Sequence, residues 1–216
     1  MAPGEPGVMS FSDSERQLLA DLFLEVGPEA PTLCAGWTTT DLAAHLWVRE
    51  HRPEAAAGMV ISPLKNHLAS VQNKVKKQDY SQLVEHWRAG PPKFSPLRLV
   101  DRTMNAAEHF VHHEDVRRAR PSWSPRVLEA TATAALSKSL PLLAKVLLRH
   151  SELPVILTPT SLAPLTIGGE RGVVDHGDAV ARVSGDIGEL VLWVFGRDAV
   201  DVAMTGDTAK IVRSSS

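Results

Sequence analysis

The stretch Asn105-Ala-Ala-Glu-His-Phe-Val-His-His-Glu-Asp-Val-Arg-Arg118 gathers carboxylates, three histidines and two arginines into one segment with helical spacing. Glu108 and His112 are four residues apart, so on a helix one side chain stands a turn above the other on the same face. A carboxylate oxygen and an imidazole nitrogen placed in that way can share a metal ion, which needs at least one more ligand. The best candidate is His45, within Asp41-Leu-Ala-Ala-His-Leu46 on an earlier expected helix. The same pair also fits a buried hydrogen-bonded couple without an ion, because E-x-x-x-H arises easily by chance.

Helical phase ranks the histidines. With about 100° per residue and Val100 at zero, Met104, Ala107 and Val111 fall within about 40° and form an apolar stripe. Asp115, Glu108 and His112 follow at roughly 60°, 80° and 120°, on its border, while His109 and His113 land near roughly 180° and 220°. The expectation is therefore that Glu108 and His112 border the core and that His109 and His113 face solvent.

The chain has 216 residues, 44% hydrophobic and 22% charged, which suits a globular protein of one large or two small domains. A net charge of −2 argues against a nucleic-acid partner, which calls for a basic excess. No apolar run approaches the ~20 residues of a membrane span, and no signal peptide is legible. Cys34 is the only cysteine, which rules out an internal disulfide and suits a cytoplasmic location.

Ser12 and Glu15 have capping-box spacing, and Leu18, Leu19, Leu22 and Phe23 recur at helical intervals. They predict a helix over Asp13–Val26, ended by Gly27-Pro28. Thr38 and Asp41 predict the capped start of a second helix, with Trp37 and Leu42 as a staple, running to Gly58 with a kink at Pro53. His45 borders its Leu42/Leu46 stripe, where the plain alternative is a core histidine with one hydrogen bond. Glu50 and His51 are rival ligands, and Arg49 and Arg52 reach acidic groups or water. Cys34 reads as a small buried side chain. It precedes the second helix by several residues, so we expect it to be neither ligand nor nucleophile.

Further helices are expected over Pro63–Lys77, with Lys74, Lys76 and Lys77 exposed, and over Tyr80–Ala89. Another runs from Pro96 to Arg120, and one over Arg126–His150 is interrupted at Pro141. Arg117 and Arg118 suit the helix dipole or an anion. The pattern changes near Leu153. Strands are expected at Pro154–Thr158, Pro164–Ile167, Ala179–Ser184 and Val200–Met204, with a short amphipathic helix over Glu189–Phe195. The fold class is α+β, with a boundary between residues 150 and 151.

Together these segments resemble a known family. Leu33-Cys-Ala-Gly-Trp-Thr-Thr-Thr-Asp-Leu-Ala-Ala-His45 resembles the first ligand segment of the mycothiol-dependent maleylpyruvate isomerase family, one of the DinB-like metal-binding four-helix bundles. Glu108-His-Phe-Val-His112 and the following His113-Glu-Asp-Val-Arg-Arg118 resemble its second. Ser184-Gly185, Glu189–Arg197 and Val202–Asp207 resemble its small sterol-carrier-like α/β domain. Val48-Arg-Glu50 and the arginine-rich ending are most similar to an actinobacterial subgroup described only as metal-binding.

The resemblance implies a DinB-like bundle over residues 1–150 and a sterol-carrier-like domain over 151–216. It implies a divalent metal, usually zinc, held by His45, Glu108 and His112. This set also matches the facial triad of non-haem iron. Three ligands leave a coordination position open, and a thiol bound there ionises. Mycothiol as an external thiol cosubstrate would then attack a small electrophilic substrate, for isomerisation or thiol transfer. Arg197 resembles a position near the active-site cleft that could hold a carboxylate, and Asp115 could orient a ligand histidine. The other class of function is a non-catalytic metal-binding module, which a fourth protein ligand would favour.

Overall fold

The computed structural model describes residues 9–59, 61–91, 102–169 and 179–214, with backbone alone for residues 102–104. The expected helix start near Pro96, and Val100 as the origin of the helical phase, lie outside the described residues. The fold mixes helix and sheet in two compact units, Met1–Trp123 and Ser124–Ser216.

In the first unit, α1 (Phe11–Val26) is capped by Ser10, whose hydroxyl accepts from Asp13 N at 3.2 Å. The cap thus stands two residues before the expected Ser12. Leu19, Leu22 and Phe23 face inward, whereas Leu18 is 48% exposed. Gly27, at φ 82°, turns the chain out of the helix. The expected capping box forms at α2 (Thr39–His51): Asp41 Oδ2 accepts from Thr38 N at 2.9 Å, and Thr38 Oγ1 from Asp41 N at 3.4 Å.

Pro53 does more than kink this helix. It begins a separate short helix, α3 (Pro53–Ala56), because proline suits a first turn and lacks the N–H that would continue α2. Next come α4 (Lys65–Val75), α5 (Tyr80–Arg88) and α6 (Arg102–Arg118). Helix α1 packs against α5 and α6, and α2 against α4 and α5. Leu19, Phe23, Leu42, Leu46, Leu83 and Trp87 share one core. Each such side chain contributes about 2 kcal/mol by leaving water. Lys76, expected to be solvated, instead pairs with Asp41 at 2.8 Å.

In the second unit, α7 (Ala130–Leu147) runs unbroken through Pro141. The expected boundary between residues 150 and 151 puts this helix in the first domain. Its buried stripe of Leu136, Leu140, Leu143 and Leu147 packs instead with α8 (Ile187–Val194), which joins it to the second unit. The strands are β1 (Val155–Pro159), β2 (Leu165–Ile167), β3 (Ala181–Gly185) and β4 (Val202–Gly206). They form one sheet in the order β2-β1-β3-β4, with β1 and β3 parallel and the outer pairs antiparallel. Every residue of α8 is buried, so this helix is covered on all sides rather than amphipathic.

A cysteine, histidine and aspartate cluster as candidate metal centre

A threonine fixes the turn that precedes α2. Thr32 Oγ1 donates to Trp37 O at 3.0 Å and accepts from Cys34 N at 3.2 Å, and Trp37 N donates to Cys34 O at 2.9 Å. From this turn onward the chain meets α6 in antiparallel register. Leu33 N donates to Asp115 O at 3.0 Å, and Cys34 Sγ donates to Asp115 Oδ2 at 3.3 Å. The rings of His45 and His112 meet edge to face with centroids 5.5 Å apart. Arg49 reaches Glu108 Oε2 at 2.5 Å and donates to Asn105 Oδ1 at 2.9 Å.

His112 is the pivot of this register. Its Nδ1 lies 2.9 Å from Asp115 Oδ2, and Asp115 is fully buried. An ionised carboxylate only accepts, so Nδ1 carries a proton and donates, and in the neutral ring this leaves the lone pair on Nε2. The Cys34 thiol donates to the same oxygen. One potential ligand atom each from Cys34, His112 and Asp115 lies within 4.8 Å of the others. Thiolate, imidazole and carboxylate are the donors zinc takes, so the residues present fit a divalent ion.

The residues singled out in the sequence are placed as follows. His45 and His112 come together, and the indole of Trp37 flanks His45 at 5.1 Å between centroids. Glu108 stands one turn from His112, but its carboxylate is engaged by Arg49. That contact is close and off the line of a hydrogen bond, so it is a charge pair. Cys34, expected to stand apart, is half-buried and belongs to the cluster. No spacing within the chain signals this, because the turn at Thr32 sets where the sulfur lies. Arg197 belongs to the second unit, where its Nη1 donates to Phe195 O at 2.7 Å.

His109 and His113 do not face solvent, being 0% and 6% exposed. His109 Nε2 donates to Glu50 Oε1 at 3.1 Å, and its Nδ1 lies 3.0 Å from both Ser12 Oγ and Ser12 O. His113 Nδ1 pairs with Glu15 Oε2 at 2.8 Å. Helical phase predicts one buried side for α6, whereas α1 and α2 both supply buried partners, Glu15 and Glu50. A signal was present: Glu15 and Arg16 continue the Leu19/Phe23 stripe, and Glu50 continues Leu42/Leu46, at intervals of three and four. Charged residues on an apolar stripe call for partners.

Glu50, a rival ligand in the sequence reading, is fully committed. Arg16 grips it with two bonds, 2.7 Å to Oε2 and 3.0 Å to Oε1, and Trp87 Nε1 donates to Oε1 at 3.1 Å. Burial alone would raise its pKa, but the His109 hydrogen bond and the Arg16 charge outweigh it and hold the carboxyl at about 2. His51 is stacked on Trp47, with Nδ1 3.0 Å from Trp47 O. Arg117 and Arg118 both bond Glu114, at 2.6 Å each, and Arg118 lies over the Trp123 ring.

No protein-family model matches the chain, and no curated protein matches it. Among solved structures, the chain is similar to the crystal structure of the mycothiol-dependent maleylpyruvate isomerase, at 13% identity and a TM-score of 0.59, over 95% of this chain and 93% of that one. A histidine-to-alanine mutant of that isomerase matches at the same identity and coverage, with a TM-score of 0.60. At this identity the likeness is one of fold, and the chain shares that fold over nearly its whole length.

Proposed function

We propose that the chain is a divalent-metal, thiol-dependent enzyme of small-molecule chemistry, with its ion, zinc by preference, held by His45, Glu108 and His112. The observation that carries this reading is the meeting of His45 and His112, one turn from Glu108, in a chain with the isomerase's fold. On this reading Glu108 leaves Arg49 to join the ion, and Asp115 holds the His112 ring so that Nε2 points to it. An ion with three protein ligands supplies an open position that binds a thiol as thiolate. Mycothiol is the proposed thiol, and the substrate a small electrophile that undergoes thiolate addition, transfer or isomerisation. Arg197 is proposed to hold a carboxylate of that substrate. The first unit is proposed to be a DinB-like bundle and the second a sterol-carrier-like domain.

Metal-loaded protein incubated with mycothiol and a panel of electrophiles, maleylpyruvate included, tests the activity. Turnover that needs both metal and thiol, and disappears in His112→Ala, supports it. The second reading, a non-catalytic metal-binding module, draws on Cys34 and Asp115 beside His112, since extra protein donors saturate an ion. Full metal occupancy with no turnover of any electrophile favours that module.

A further inference from the structure

We propose that Cys34 is a metal ligand, its sulfur binding an ion together with His112 and Asp115. The proposal rests on the reading of His112 as a metal ligand, but not on Glu108 and not on the thiol-dependent activity.

The donors already stand near coordination spacing. Zinc bonds of about 2.0 Å to nitrogen or oxygen and about 2.3 Å to sulfur place tetrahedral donors roughly 3.5 Å apart. Cys34 Sγ is 3.3 Å from Asp115 Oδ2, and His112 Nδ1 is 2.9 Å from the same oxygen. Two protons, one on sulfur and one on nitrogen, therefore converge on one buried carboxylate oxygen. A cation at that point displaces protons to solvent and keeps the carboxylate as its counter-charge. The backbone holds the arrangement in place, through the Thr32 bonds to the Cys34 turn and the Leu33 N to Asp115 O bond. Glu108, by contrast, must first leave Arg49.

Cys34 Sγ and His112 Nδ1 both donate to Asp115 Oδ2, so a single carboxylate oxygen already draws the sulfur and the ring nitrogen together, as ligation of one ion requires. A neutral imidazole serves one ion, so the Cys34/Asp115 position and the Glu108 position are alternatives that share His112. An ion in the sulfur position already has its thiolate, so Cys34 and an external thiol compete for the centre.

Cobalt(II) tests this, because a thiolate bound to it gives a charge-transfer band. Full-length protein freed of metal and of added thiol is titrated with cobalt. Cys34 is the only cysteine, so a band in wild type reports that residue alone. We expect the band in wild type and in Glu108→Gln, and its loss in Cys34→Ser and His112→Ala. Cobalt affinity in Cys34→Ser falls by about tenfold or more. Alkylation of Cys34 in wild type slows when cobalt is added, a readout that needs no variant to fold. Stoichiometric cobalt in wild type with no band and no protection overturns the proposal and leaves the metal centre standing. No cobalt bound by wild type overturns both.

Discussion

The imidazole of His45, in the second turn of α2, meets the imidazole of His112, near the middle of α6, edge to face at 5.5 Å between centroids. Two helices are needed to bring these rings together, and on either side of them the register supplies acids, Glu108 and Asp115. Two carboxylates thus flank His112 along α6, Glu108 paired with an arginine and Asp115 bonded by a thiol and by the histidine itself.

Metal content is the first consequence. Purified wild type should carry about one divalent ion per chain, and His112→Ala should lose it, since both ligand sets contain that residue. His45→Ala and Glu108→Ala should each bind more weakly. Elemental analysis after dialysis decides the matter, and full retention in all three variants sinks the His45/Glu108/His112 assignment.

Asp115→Asn should weaken the metal by about 10-fold or more whichever set binds it: with Glu108 the His112 ring loses the acceptor that orients it, and with Cys34 the ion loses a charged ligand. Chelator competition measures this. An unchanged affinity would mean that Asp115 merely satisfies a buried histidine.

Removing the charge that holds Glu108 should have the opposite sign. Arg49→Gln frees the carboxylate, so metal should bind as tightly as in wild type or more so. Stability should change by no more than about 1 kcal/mol, as expected for a pair that is partly exposed on both sides. Weaker metal binding in this variant would show that Arg49 presents Glu108 rather than withholding it.

Acid should unfold the first unit through Glu50. Its carboxyl is held at about 2, below the ordinary 4.5. A group depressed in the folded state stabilises fully above its unfolded pKa, and that contribution is lost as pH falls from 4.5 toward about 2. At about 1.4 kcal/mol per unit the shift corresponds to about 3 kcal/mol. Urea titrations at neutral pH and near pH 3 should show the loss in wild type and a smaller one in Glu50→Gln. Arg16→Met, which leaves Glu50 charged and buried, should cost about 3–5 kcal/mol at neutral pH. His109→Ala should likewise destabilise, while keeping the metal, because His109 belongs to this network and not to the cluster.

Gly206 offers a test of the sheet. It pairs with Ala181 at φ 84°, and a Cβ added there would stand 2.1 Å from Val180 O. Gly206→Ala should cost well over about 1 kcal/mol, from backbone strain together with a clash against a carbonyl that cannot yield. A melting temperature equal to wild type would mean that the β3–β4 register is not the one described.

Local order was legible in the sequence. The Thr38/Asp41 box fixed the start of α2, the central stretch was helical, and the strand segments after Leu153 lay within a few residues of β1 to β4. These features depend on groups three or four residues apart, or on alternation along one segment, and such spacing is written in the chain. The candidacy of His45 and His112 was legible for the same reason, as each borders an apolar stripe.

Only the tertiary structure decided the partners. Periodicity gives the direction of a stripe relative to one apolar neighbour, but α6 is buried from more than one side. His109 and His113 therefore meet Glu50 and Glu15 instead of water. Which charge engages Glu108, which carboxylate holds His112 and where Cys34 lies all depend on the antiparallel register of α6 with the chain from Leu33 to Arg49. That register is set by packing between segments far apart in sequence, and no spacing within either segment encodes it.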